Sequence, residues 1–116
     1  MKYIIAIIRP EKLDAVTDAL DQREVSLMTV SDVRGHGRQR GYTETFRGGK
    51  IPTRLVSKVK LEIAVNENFV EPTIAAIQKA AKSEGDKIGD GKIFVLPLDE
   101  CVRIRTGERG GTAIGP

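Results

Sequence analysis

At 116 residues, with 40% hydrophobic and 30% charged side chains, the chain has material for one two-layer core and not for two. A single cysteine excludes an internal disulfide, and no leader-like segment or apolar run of about 18 residues is present, so a cytoplasmic protein is expected. The net charge of +3 permits a nucleic-acid partner, yet the basicity is confined to Arg34–Lys60, where Glu44 is the sole acid.

Tyr3–Ile8 is a β-branched run closed by Pro10, which predicts a strand. From Glu11 to Gln22 the period turns helical, with Leu13, Val16 and Leu20 on one face. Val25–Val33 reads as a second strand, with Val25, Leu27, Thr29, Ser31 and Val33 on one face and Met28 and Val30 on the other. Between Gly35 and Pro52 no period survives, and glycines stand at 35, 37, 41, 48 and 49. A loop that long in a small domain points to function.

Leu55–Val65 is a third strand, in which Val59, Leu61, Ile63 and Val65 alternate with Lys58, Lys60, Glu62 and Ala64. Phe69–Lys82 carries the apolar stripe Val70, Ile74, Ile77, Ala81 of a second helix. Ser83–Gly91 is a polar turn, Ile93–Pro97 a fourth strand, and Cys101–Arg105 continues the strand character. The glycine-rich tail from Thr106 to Pro116 is expected to be mobile. The order gives an α+β, ferredoxin-like βαββαβ domain over 1–116, an antiparallel sheet with two helices on one face and a long loop (about 36–54) between strands two and three. Strands one and three are apolar on both faces, so the second face calls for self-association.

The chemistry concentrates at the end of the connection from the second helix to the fourth strand. Gly89-Asp90-Gly91 is bracketed by Lys87 and Lys92, a backbone that lets amides approach an anion and cations that neutralise it. Arg103 and Arg105 alternate with Val102 and Ile104, so a strand there would aim both guanidinium groups one way. Together these suggest a polyphosphate site. The bland readings stand beside it: a tight turn at Gly89–Gly91, a solvated face at Arg103 and Arg105, an edge blunted by Lys58 and Lys60, a loop residue in His36, a packing residue in Cys101.

No zinc-type cluster and no P-loop is present. A nucleic-acid surface would want aromatics interleaved with the basic residues, and the loop offers Tyr42 and Phe46 alone, with no reading motif; no nucleic-acid partner is expected. An enzyme would need a base or nucleophile near the phosphates, and Asp90, Glu62 and hydroxyl groups are all that is available.

From Met1 to Arg109 the chain resembles the PII nitrogen-regulatory signal-transduction proteins. The resemblance rests on Ile7-Ile8-Arg9-Pro10 with Lys12-Leu13, Met28-Thr29-Val30, Gly35 to Gly41, Thr43-Glu44, Arg47-Gly48, Lys58-Val59-Lys60, Ile88 to Pro97, and Arg103 to Arg109. It implies a homotrimer with nucleotide sites in the clefts between subunits, where ATP and ADP compete and 2-oxoglutarate joins MgATP. It implies a regulator, at most a weak ATP hydrolase, that acts through the long loop on an ammonium transporter or an enzyme of nitrogen metabolism. Contact with a membrane would come only through such a transporter.

Residue by residue, the resemblance assigns adenine contacts to Ile7, Thr29 and Ala64, and the loop base beside the nucleotide to Gly35, Gly37 and Arg38. The phosphate turn falls on Lys87, Gly89, Asp90, Gly91 and Lys92, with Arg103 and Arg105 reaching the same phosphates. Gln39 matches the residue whose amide oxygen ligates Mg²⁺ and so also touches the nucleotide. Gln39, Arg40, Gly41, Lys58 and Gly89 match the 2-oxoglutarate site. Tyr42, Phe46, Arg47, Lys50 and Ile51 lie in the target-binding loop.

Three departures matter. Ile51 stands where some members carry a nucleotidylylated tyrosine and Gly49 where others carry a phosphorylated serine, so neither modification has its hydroxyl. Ser83-Glu84-Gly85-Asp86-Lys87 replaces a shorter stretch and sets two acids near the phosphate turn. The loop tip, Gly48–Arg54, is basic rather than acidic and aromatic. The alternative is therefore a diverged adenylate sensor without a 2-oxoglutarate response, acting on another target.

Overall fold

The computed structural model describes residues 1–36, 45–46, 49–50, 55–85 and 88–115. Strand β1 (Lys2–Ile8) leads through a 3₁₀ turn at Pro10–Lys12 into helix α1 (Leu13–Asp21), and strand β2 (Thr29–Gly35) follows. Two short pieces, β3 (Thr45–Phe46) and β4 (Gly49–Lys50), pair with each other. Then come strand β5 (Val56–Val65), helix α2 (Glu67–Ala81), strand β6 (Gly91–Pro97) and a last helical turn, α3 (Gly111–Ile114).

The main sheet has the order β2-β5-β1-β6, antiparallel at every pairing. This is the ferredoxin-like βαββαβ fold that the order of elements predicts. Ile4, Ala6 and Ile8 of β1 and Val59, Leu61, Ile63 and Val65 of β5 meet Val16 and Leu20 of α1 and Val70, Ala76, Ile77 and Ala81 of α2 in one core. Each fully buried aliphatic side chain there stabilises the fold by roughly 1.5–3 kcal/mol. The opposite face carries Tyr3, Ile5 and Ile7 flanked by Phe94 and Leu96, the last two 47% and 41% exposed in the single chain.

Three expectations need correction. The second strand begins at Thr29, not Val25. Helix α1 ends in a Schellman motif: Val25 N–H donates to Leu20 O, Glu24 N–H to Asp21 O, and Glu24 takes the left-handed conformation at φ 62°. Val25 is thus the apolar residue that packs back on the helix end beside Leu20, both buried. The alternation at 25–33 was shared between a helix cap and a strand.

Cys101–Arg105 is not a continuous strand either. Val102 and Arg109 form an isolated bridge, and the residues between them turn. The tail is not loose. Asn66, just before α2, donates from Nδ2 to Gly111 O at 3.2 Å and Gly115 O at 3.0 Å, and Ala113 is buried. No helix among the described residues is long and apolar enough to cross a membrane.

Candidate functional site

Strand β1 runs out into Arg9 at the end of the sheet where Gly91 pairs with Ile8 and β2 finishes at Gly35 opposite Val56. Three successive residues before β6 are tied there from three directions. Arg9 Nη2 donates to Ile88 O at 2.6 Å, and its Nε donates to Asp90 Oδ1 at 3.2 Å. Lys58 Nζ, on β5, donates to Gly89 O at 2.7 Å. Ser83 N–H donates to Asp90 Oδ2 at 2.9 Å.

The glycines of this turn are required by the backbone. Gly89 and Gly91 have φ of 102° and 106°. A Cβ on Gly91 would lie 1.7 Å from Ile7 O, so the strand can approach only as glycine.

Electrostatics follow from these contacts. The hydrogen bond from the Ser83 side chain, with the Arg9 guanidinium behind it, holds the Asp90 carboxyl below the usual range, so its charge is spent on the turn. Burial pushes the Lys58 ammonium down from 10.5, Arg9 pushes it further, and Glu11 and Asp90 pull back. An ammonium that has lost part of its water gains more than an exposed one from an incoming carboxylate.

Beside the turn lies an open cleft of about 540 Å³. Ile7 and Phe94 supply apolar surface, Gly35 and His36 come from the end of β2, and Lys58 and the run Ile88–Lys92 complete it. The fold therefore brings Ile7, Gly35, Lys58, Gly89, Asp90, Gly91 and Lys92 together, seven residues singled out in the sequence. Thr29 and Ala64 share the open sheet face with Ile7, in register with Glu62 and Tyr3, but do not line this cleft.

Arg103 and Arg105 are elsewhere. They follow β6, which carries the chain from the turn to the far end of the sheet, roughly 20 Å away. Arg103 Nη1 donates to Glu108 Oε1 at 3.0 Å, and Nη2 to Thr112 O and Ala113 O at 3.2 and 3.3 Å. Arg105 is exposed on the turn that Arg103 holds. The two do not project from one strand face, because the segment is a turn.

Gly37, Arg38, Gln39, Arg40, Gly41, Tyr42, Arg47, Ile51 and Lys87 lie outside the described residues, and Phe46 and Lys50 fall in β3 and β4. Among the described residues no group of three or more His, Cys, Asp or Glu side chains could hold a metal ion. Sequence reasoning missed Arg9 and Ser83 as supports of the turn. Arg9 is 81 positions from Asp90, and no local pattern reports such a pairing.

A ferredoxin-like domain whose glycine turn and lysines meet in an open cleft at one sheet end has the chemistry to receive a small anion. The chain belongs to the nitrogen regulatory protein P-II family, whose model matches residues 1–108. It is 54% identical over 114 residues to nitrogen regulatory protein GlnK1 of Methanosarcina mazei, covering 98% of this chain and 97% of that one. It is 52% identical to nitrogen regulatory protein P-II 2 of Methanothermobacter thermautotrophicus, with 98% and 97% covered. Against nitrogen regulatory protein P-II of Azospirillum brasilense the identity is 50%, with 98% and 100% covered. The chain is thus a nitrogen-regulatory signal-transduction protein.

Proposed function

We propose that the protein binds ATP and ADP competitively in the cleft, takes up 2-oxoglutarate with MgATP, and reports that state through the long loop to an ammonium transporter or an enzyme of nitrogen assimilation. The observation that carries this reading is the convergence of Gly89–Lys92, Lys58, Gly35 and Ile7 at one end of the sheet. An apolar wall suits a base, the positive-φ glycines suit a phosphate, and Lys92 suits its charge. Asp90 opposes an anion less than a free carboxylate would, because its charge is paired with Arg9 and hydrogen-bonded by Ser83.

The distance between the turn and Arg105 supports a homotrimer. One chain holds its phosphate turn and its Arg103–Arg109 hook at opposite sheet ends, so a second copy must supply the arginine to complete a site. The apolar open face and the fully exposed Ile104 are the surfaces such an assembly would cover.

In this reading Mg²⁺ would be held by the amide oxygen of Gln39 and by substrate oxygens, which fits the lack of a carboxylate cluster among the described residues. When bound, the ion would supply positive charge that offsets the charge of the phosphates and of the 2-oxoglutarate carboxylates. Lys58 would leave Gly89 O for a 2-oxoglutarate carboxylate, coupling the acid to the phosphate turn. The loop responds only if the ligands differ in affinity for its two states.

Calorimetric titration with ATP and ADP, then with 2-oxoglutarate in the presence and absence of Mg²⁺, tests the reading. The expected result is 2-oxoglutarate binding with MgATP alone, lost in Gln39→Ala and Lys58→Ala while ADP binding is nearly kept. Nucleotide binding without any 2-oxoglutarate response would leave an adenylate sensor. Equal loss of both ligands in the variants would sink the residue assignment.

A further inference from the structure

His36 is the single histidine of the chain, and from sequence it reads as a loop residue. The structure puts it in the wall of the cleft, across from the glycine turn. The path can be followed atom by atom. Gly35 lies against Lys58, where an added Cβ would be 3.7 Å from Cγ, and Lys58 Nζ reaches Gly89 O at 2.7 Å. The residue after Gly35 thus flanks the same space that the turn faces.

Four titratable groups line this cleft: His36, Lys58, Asp90 and Lys92. Lys58 and Asp90 already serve the turn itself, through Gly89 O and through Arg9 and Ser83. The other two are Lys92 and His36. An imidazole is neutral or cationic depending on pH near neutrality, with an ordinary midpoint of about 6.5.

We propose that His36 is a phosphate-contacting residue of the cleft, whose imidazolium joins Lys92 and the turn amides, so that affinity for a nucleoside di- or triphosphate rises as the medium is acidified. This rests on the nucleotide reading above and adds to it a pH-dependent determinant. The sign follows from linkage. An anion beside the ring favours its protonated form, so binding tightens as pH falls through the imidazole midpoint and levels off below it.

Other charged groups lie near this region and need separating from this effect. Arg34 is on β2 two positions before His36, Arg9 and Glu11 follow β1, Lys58 is on β5, and Asp90 and Lys92 belong to the turn and β6. Asp90 is held below its ordinary value of 3.8, and the fall of Lys58 starts from 10.5. All of them, and the ligand's own phosphate, are common to wild type and a His36 variant, so the difference between the two isolates the imidazole.

The test is the affinity for ADP and for adenosine at about pH 8 and about pH 6 in wild type, His36→Gln and His36→Lys. Between those conditions wild type should gain about fivefold in ADP affinity relative to His36→Gln, the low end for a charge-assisted contact open to water. His36→Lys should hold the higher affinity at both, and adenosine should show no difference. Parallel ADP profiles in wild type and His36→Gln would overturn the proposal while leaving the nucleotide reading intact. The same pH dependence for adenosine would also overturn it, since the ring would then act on the nucleoside. No ADP binding by any of the three proteins would remove the nucleotide reading, and this inference with it.

Discussion

Gly91 is the position where backbone geometry and site chemistry meet. Its φ of 106° is strained for any other residue, and its Cβ would meet the Ile7 carbonyl at 1.7 Å. Gly107 has a similar φ of 73° with nothing within 4 Å, so it separates the two costs. Gly107→Ala should lower stability by about 1–2 kcal/mol, the conformational term alone. Gly91→Ala should cost at least about 2 kcal/mol more, because β6 must shift away from β1. Urea denaturation at fixed protein concentration reads both, and equal losses would mean that the close approach of β6 to β1 does not matter. Asp90 gives a pH-dependent counterpart. Its folded value is depressed below 3.8, chiefly by the Ser83 side chain, so its contribution is fully present above that value and disappears as pH falls through the folded one. Asp90→Asn should therefore be less stable than wild type near neutrality, and the two stability curves should converge under acid conditions. Curves that stay parallel into acid would show that the Arg9–Asp90–Ser83 support contributes nothing. At this scale the grouping of Gly89, Gly91 and Lys92 was legible, because they are neighbours in number and the cleft keeps them together. Arg9 was not, because its role exists only after β1 and β6 pair, and Ser83 was not, because it reaches Asp90 across a seven-residue turn of no standard motif.

At the scale of elements, periodicity located every strand of the main sheet and both helices packed on it but misjudged where β2 begins. Val25 satisfied the strand alternation and the helix cap equally, and the left-handed Glu24 between them carries no glycine to mark the stop. Glu24→Gly should relieve that conformation and raise stability by about 0.5–1 kcal/mol, measured as a higher urea midpoint with unchanged slope. A lower midpoint would mean that the Glu24 side chain contributes more than its backbone conformation costs. The C-terminal segment failed for the opposite reason. Arg103 and Arg105 alternate with apolar residues as a strand would, yet Gly107 at positive φ and the Arg103–Glu108 pair at 3.0 Å close a turn. The carbonyls of Gly111 and Gly115, bound by Asn66, then fix the tail against the start of α2. Asn66 lies 45 and 49 positions from those carbonyls, beyond any short-range pattern.

The whole molecule shows why the site has to be shared in the proposed reading. β6 places the glycine turn at one end of the sheet and the Arg103–Arg109 hook at the other, and the core between them is too rigid to fold the two together. The sequence motifs looked like one cluster because they are close in number. In space they lie at opposite ends of β6, and in the proposed assembly each would face a different copy. A mixing experiment decides between shared and private sites. Lys92→Ala damages the turn half and Arg105→Ala the arginine half, and each variant alone should bind ADP poorly. If the halves come from different copies in a cyclic assembly, co-refolding equal amounts should restore about one quarter of the wild-type sites, those pairing an intact turn with an intact arginine. If each chain completes its own site, every site keeps one defect and mixing restores nothing. Calorimetric stoichiometry on the refolded mixture measures the restored fraction directly, and a value near zero would overturn the shared site along with the assembly that requires it.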